Sequence, residues 1–154
     1  MKNVLMIDKD VNHLAVLAVA LIEAGYKVIP EIDAESAVAV LRENVRIDLI
    51  IIDYQVPGLD ALSFMTMLRE LMPKVPVIVL AQYCSVDIYL KVMSLGAFEY
   101  LNKPVRTCEL NRIVKVALEA AGPMTSHLCT SESGNHEDQG ENAIFARSLQ
   151  NRRE

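Results

Sequence analysis

The chain is short of cysteine, short of basic residues relative to acids, and has no long uninterrupted apolar run. Its three cysteines, Cys84, Cys108 and Cys129, lie far apart and form no Cys-x-x-Cys or Cys/His ligand spacing. That spacing argues against structural zinc, and the odd count argues against a disulfide framework. Small buried or inert thiols in a reducing compartment are the expectation. Fifteen Lys and Arg against 20 Asp and Glu give a net charge of -5 and a pI of about 5.2. Phosphate binding needs a basic face, so no direct contact with nucleic acid is expected. No apolar run approaches the ~20 residues of a membrane span. The amino terminus opens on Lys2 and a strand-like run rather than on a signal peptide. A cytoplasmic protein without membrane association is the expectation.

What is present is a regular alternation. With 154 residues, 52% hydrophobic and 23% charged, the chain has globular composition and length enough for one core. Val4 to Ile7 is an apolar run ending at Asp8. Leu14, Leu17, Ala18, Leu21 and Ile22 follow at helical spacing, stopped by Gly25, while Ala15, Val16, Val19 and Ala20 would face outward as a partner-docking or merely alanine- and valine-rich surface. Tyr26 to Ile29 reads as a second strand interrupted by Pro30, which suits a sheet edge. Asp33 is placed to cap a helix with Ala34, Ala37, Val38 and Leu41 inward. Ile47 to Ile52 is the central strand, followed by a helix on Ala61, Phe64, Met65, Leu68 and Met72. Val75 to Leu80 and Phe98 to Leu101 are further strands, separated by a helix from Val86 to Leu95. The last helix runs from about Thr107 to Ala121 on Leu110, Ile113, Val114, Ala117, Leu118 and Ala121, closed by Gly122-Pro123.

Strands that are apolar throughout, joined by crossover helices, make a parallel sheet covered on both faces. Five such units in about 120 residues fit a flavodoxin-like (βα)5 doubly wound fold of strand order 2-1-3-4-5. Residues 1-121 are expected to form this domain. Residues 122-154 read as a polar linker or tail, in which Ile144, Phe145 and Leu149 could mark a short carboxyl-terminal helix.

In such a sheet the functional crevice lies beyond the carboxyl ends of the strands, at the switch between strands 1 and 3. The strand ends are Asp8, Asp53, Ala81 and Lys103. An ionised carboxylate is costly to bury alone, so Asp53 should stand at the mouth of a site rather than in the core. Two neighbouring carboxylates repel, which a hard cation such as Mg2+ would relieve. Lys103 would neutralise the excess or hold an anionic ligand. The stretch Asp8-Lys9-Asp10-Val11-Asn12 has no glycine to cradle a phosphate, which disfavours a flavin or nucleotide enzyme on this fold.

Three stretches then make a specific resemblance: Ile7-Asp8, Ile52-Asp53-Tyr54-Gln55-Val56-Pro57-Gly58-Leu59-Asp60, and Gly96-Ala97-Phe98-Glu99-Tyr100-Leu101-Asn102-Lys103-Pro104. Residues 1 to about 121 resemble a bacterial two-component response-regulator receiver domain. The resemblance implies that Asp53 is the phosphoacceptor, that Asp8, Asp53 and the Gln55 carbonyl hold Mg2+, and that Lys103 binds a phosphoryl oxygen. It implies a cis bond before Pro104 and a switch formed by Tyr100 with the residue at Ala81. It also implies a sensor histidine kinase or phosphotransfer protein as partner, and a homodimer face on helix 4, strand 5 and helix 5, here Tyr89, Lys91, Tyr100, Arg112 and Val116. Such a domain is not a conventional enzyme, although receivers promote their own phosphorylation and dephosphorylation.

Two positions depart from that pattern. Lys9 stands where the family has the acid that binds the metal directly, and Ala81 stands where it has Ser or Thr. An ammonium about 4 Å from a cation costs about 4 kcal/mol at an effective dielectric of about 20, so the Mg2+ site is expected to be weakened or lost. Asp10 could replace part of the missing acid. Ala81 removes the hydroxyl that would link phosphorylation to Tyr100. The alternative function is a phosphorylation-independent interaction module, in which Lys9 pairs with Asp53 or Asp8 as a fixed internal cation. No DNA-binding or ATPase region is read after the receiver, so the chain is expected to stand alone or to front a longer protein.

Overall fold

The computed structural model describes residues 1-121 apart from Leu59 and Cys84. Its elements in chain order are β1 (Asn3–Ile7), α1 (Val11–Glu23), β2 (Lys27–Glu31), α2 (Ala34–Arg42), β3 (Leu49–Asp53), α3 (Ala61–Leu71), β4 (Val77–Ala81), α4 (Val86–Ser94), β5 (Glu99–Asn102) and α5 (Thr107–Ala120). All neighbouring strands are parallel, in the order β2-β1-β3-β4-β5. This is the flavodoxin-like doubly wound sheet expected from the alternation. The tail expected over 122-154, with its short helix, lies outside the described residues, as do Cys84 and Cys129.

Alternation along each strand divides the core in two. Leu5, Ile7, Ile50, Ile52, Val77 and Val79 point to one face and pack with Ala37 of α2, Phe64 and Leu68 of α3, and Val92 of α4. Val4, Met6, Leu49, Ile51, Ile78 and Leu80 point to the other face, against Leu17 and Leu21 of α1 and Leu110 and Val114 of α5. Every residue of β3 and β4 is buried, so each aliphatic there contributes about 1.5–3 kcal/mol by leaving water. Among the described residues no helix is long and apolar enough to cross a membrane.

Four helices begin on a side-chain cap. Asp10, Asp33, Asp60 and Ser85 accept backbone N–H groups at the starts of α1, α2, α3 and α4. Such caps are worth about 1 kcal/mol each.

Several expectations are corrected in detail. Ile22 is 57% exposed. It lies one turn beyond Ala18, already at the margin of the buried stripe, and the helical drift of about 40° over four residues carries it outside. Ala121 follows the end of α5 and is exposed. Of the two alternatives expected for the thiols, buried or inert, the exposed Cys108 excludes the first for itself. β2 runs through Pro30, which pairs in register with Met6. This strand has a partner on one side only, so the missing proline N–H can face outward.

Candidate functional site

The parallel register places Ile7 beside Ile52. Asp8 follows the end of β1 while Asp53 is the last residue of β3, so two carboxylates lie side by side at the same rim. The backbone N–H of Lys103 donates to the Ala81 carbonyl at 2.8 Å, fixing the chain beyond β5 against the end of β4. From there the Lys103 side chain crosses the rim. Its Nζ lies 2.9 Å from Asp8 Oδ2 and 3.1 Å from Asp53 Oδ2. The Lys103–Pro104 peptide bond is cis.

Neither carboxylate stands open at a mouth, as expected of Asp53 from the sequence. Asp8 is 1% and Asp53 3% exposed. Burial is tolerated because the oxygens are supplied with donors. Asp8 Oδ1 accepts the Asp10 N–H at 2.9 Å, and its Oδ2 accepts His13 Nδ1 at 2.7 Å as well as Lys103. Asp53 Oδ1 accepts the Gln55 N–H at 3.0 Å. Burial pushes the Asp8 carboxyl up, but the hydrogen bonds from His13, Asp10 and Lys103 outweigh it and hold the group below the ordinary carboxylate range. Burial likewise pushes Lys103 down, while its hydrogen bonds and charge pairing with Asp8 and Asp53 carry it above its ordinary value. Asp8 and Lys103 are therefore ionised near neutral pH.

The remaining expected residues fall in different places. Lys9 does not pair with Asp8 or Asp53; its Nζ donates to the Gln55 side-chain oxygen at 3.2 Å, on the exposed side. In the bend just beyond β1 the two neighbours part, Asp8 buried and Lys9 exposed. Asp10 does not replace the missing acid. Its Oδ1 caps α1 by accepting Asn12 and His13 N–H at 3.1 Å each. Ala81 is buried at the end of β4 and offers no hydroxyl. Tyr100 is 1% exposed, its ring edge-on to Tyr89 at 5.9 Å and 82°, and its hydroxyl donates to the Tyr83 carbonyl at 3.0 Å. Tyr89 and Tyr100 are thus interior residues and leave the outward contact surface to Lys91, Arg112 and Val116.

His13 is a site residue that the sequence reading passed over. A signal was available: it is the third residue of the helix capped by Asp10, and side chains there reach back toward the cap and the strand before it. Glu99 is also a buried carboxylate, 2% exposed, but it opens β5 at the other end of the sheet from Asp8 and Asp53, where it accepts the Tyr100 N–H at 2.9 Å.

The donor set is one carboxylate short for a Mg2+ ion. Asp8, Asp53 and the Gln55 carbonyl would be its protein ligands, but Lys9 replaces the third acid and Lys103 already bridges the other two. Among the described residues no group of three His, Cys, Asp or Glu side chains converges to hold a metal. The residues present do not fit the ion.

A five-stranded doubly wound sheet with paired aspartates and a crossing lysine at its carboxyl rim defines a class of signalling domain. Residues 4–115 match the family model of the response regulator receiver domain, and the chain belongs to that family. Transcriptional regulatory protein PrrA of Mycobacterium tuberculosis is 38% identical over 119 residues, which is 77% of this chain and 51% of PrrA. Transcriptional regulatory protein ZraR of Escherichia coli is 28% identical over 116 residues, 75% of this chain and 26% of ZraR. The chain thus spans between a quarter and a half of the curated relatives it matches. The receiver domain protein of Methanospirillum hungatei superposes with a TM-score of 0.74 at 25% identity, covering 79% of this chain and 96% of that one. The beryllofluoride-activated NtrC4 receiver domain dimer gives 0.75 at 28% identity, covering 79% and 100%. Receiver domains are modules of two-component signalling rather than conventional enzymes, and they interact with histidine kinases or phosphotransfer proteins.

Proposed function

We propose that this receiver accepts a phosphoryl group on Asp53 from a phosphohistidine of a kinase or phosphotransfer partner, with the protein's own lysines supplying the positive charge. The observation that carries the reading is Lys103 Nζ set between Asp8 and Asp53 at 2.9 and 3.1 Å. An Asp53 carboxylate oxygen bonds to phosphorus as the P–N bond breaks, and the bonding pair leaves on the imidazole nitrogen. Little covalent help is needed; placing the groups in line and gathering charge on the phosphoryl oxygens does most of the work. Lys103 exchanges its contact with Asp53 for a phosphoryl oxygen while Asp8, fixed by His13 and Asp10, keeps the ammonium in place. Lys9, held only through the Gln55 side chain, is the second cation within reach of the rim. Mg2+ then contributes weakly.

Output is proposed to run through protein contacts on α4, β5 and α5, where Lys91, Arg112 and Val116 are exposed, with a homodimer as one arrangement. Similarity to a receiver solved as a dimer supports self-association. With Ala81 in place of a hydroxyl residue, the coupling from Asp53 to Tyr100 is weak, because the Tyr100 hydroxyl is tied to Tyr83 instead.

The test is exposure of the intact protein to acetyl phosphate with and without Mg2+, followed by its mass. A gain of one phosphoryl group in the wild type, largely independent of Mg2+ and absent from Asp53→Asn, is the expected result. No gain under either condition would leave the phosphorylation-independent module as the reading.

A further inference from the structure

α1 is apolar on both sides. Leu14, Leu17, Ala18 and Leu21 form its buried stripe, while Asn12, Ala15, Val16, Val19 and Glu23 are exposed on the opposite face, with Ala20 at its border. From Leu14 to Ile22 the helix contains no polar residue. Val11, Val16, Val19 and Ile22 are each more than half exposed. Together they present roughly 400 Å² of aliphatic surface, the size at which an exposed patch marks a contact. That is about half of the ~800 Å² each partner gives to an interface of standard size, enough for its fully buried core. Interfaces between proteins that meet and part are about as apolar as the remaining surface, whereas homodimer interfaces are more apolar. An outer face without a polar side chain in its middle two turns therefore favours a second copy of the chain over a transient partner.

The order of residues on that face points the same way. Asn12, Val16, Val19 and Glu23 are spaced by four, three and four, which makes a continuous seam along one side of a helix. Turned about a two-fold axis, the seam is complementary to itself. Val16 of each copy meets Val19 of the other, Ala15 lies beside Ala20, and the Asn12 amide can donate to the Glu23 carboxylate. No like charges are opposed. Glu23 adds a separate observation. It stands in the last turn of α1, where the carbonyl end of the helix dipole disfavours an acid, while the first turn, where an acid is favoured, has none. Antiparallel pairing brings Glu23 of each copy to the first turn of the other. We infer that two copies of this chain pair antiparallel through the outer face of α1. The face shares no residue with Lys91, Arg112 and Val116 on α4 and α5, and the pairing does not depend on phosphorylation of Asp53.

Sedimentation equilibrium of the full chain across the micromolar range reads the pairing directly. The expected result is a species of twice the 17.1 kDa chain mass. Val16→Glu should weaken it about a hundredfold or more, because the two-fold axis sets the buried charge in twice. Val16 is exposed and Glu is the better helix former, so the variant should melt as a folded monomer. The register is tested by charge. Asn12→Glu places acid against Glu23 of the other copy and should weaken the dimer about tenfold, although an acid suits that turn of the helix in the monomer. Asn12→Glu combined with Glu23→Lys should restore wild-type association. A wild type that stays at the mass of one chain overturns the inference and leaves the face to a different protein. A dimer that survives Val16→Glu but dissociates with Val116→Glu overturns it too, by placing self-association on α5. A dimer lost with Val16→Glu but indifferent to Asn12→Glu overturns the antiparallel register.

Discussion

One ammonium serves two buried carboxylates at the rim, and the two kinds of substitution there are not equivalent. Removing Lys103 leaves Asp8 and Asp53 facing each other without their shared cation, and breaking a buried ion pair from one side costs about 3–5 kcal/mol. Lys103→Met should fall in that range by urea denaturation. Asp53→Asn removes one of two like charges and leaves Lys103 with Asp8, so its cost should stay below about 1 kcal/mol; equal costs would mean that Lys103 pairs with Asp53 alone in solution. A different carboxylate governs acid stability away from the site. Burial pushes Asp48 up, but the Asn3 N–H at 2.8 Å, the Arg46 guanidinium at 2.9 Å and Lys2 more than offset this, and the group sits below its ordinary value. A depressed carboxylate stabilises the fold above its unfolded value, near pH 4, and that contribution is lost as pH falls through the folded value. Asp48→Asn should therefore cost about 1 kcal/mol at pH 7 and progressively less as pH falls below about 4, measured by denaturant titration at each pH. A deficit that persists undiminished in acid would rule out the ionised form as its source.

Within elements, the turns carry the sharper constraints. Gly25, after α1, has φ +98 and open space around the position of a side chain, whereas Gly96, after α4, has φ +93 and Arg69 Cδ 3.1 Å from that position. Gly25→Ala should cost about 1 kcal/mol for the left-handed backbone alone. Gly96→Ala should cost about 2 kcal/mol or more, because Arg69 must also move, and Arg69 is tied to the Val75 carbonyl. Identical losses in thermal melts would show that the Arg69 stem yields freely. Elements were legible in the sequence wherever period and punctuation agreed, as in α3, where Phe64, Met65 and Leu68 recur at helical spacing after the Asp60 cap. The ends of stripes were not. Ile22 and Ala121 continue a helical repeat that the sheet no longer covers, and only the relative lengths of helix and strand decide that.

For the whole molecule, strand order and the convergence of Asp8, Asp53 and Lys103 were legible because apolar strands and crossover handedness leave few alternatives. What each charged side chain touches was not. Lys9 on Gln55, Asp10 on the helix start and His13 on Asp8 depend on side-chain direction at a single loop, which sequence spacing does not encode. That loop decides how the domain as a whole responds to metal. Ligand that binds only the folded state stabilises it by RT ln(1 + [L]/Kd), about 1.4 kcal/mol at ten times Kd, or about 5 °C for a domain of this length. With Lys9 in the place of an acid and Lys103 across the remaining carboxylates, millimolar Mg2+ should move the melting temperature of the wild type by less than about 1 °C. Lys9→Asp supplies a third carboxylate and adds a negative charge to the rim. Without metal it should melt below the wild type; with Mg2+ it should recover by several degrees, and the difference should grow with Mg2+ concentration. Adding EDTA should return it to the lower value and leave the wild type unmoved. A wild type that gains as much from Mg2+ as Lys9→Asp would mean that two carboxylates and the Gln55 carbonyl suffice, that Lys103 gives way to the ion, and that Lys9 has no part in setting the metal response.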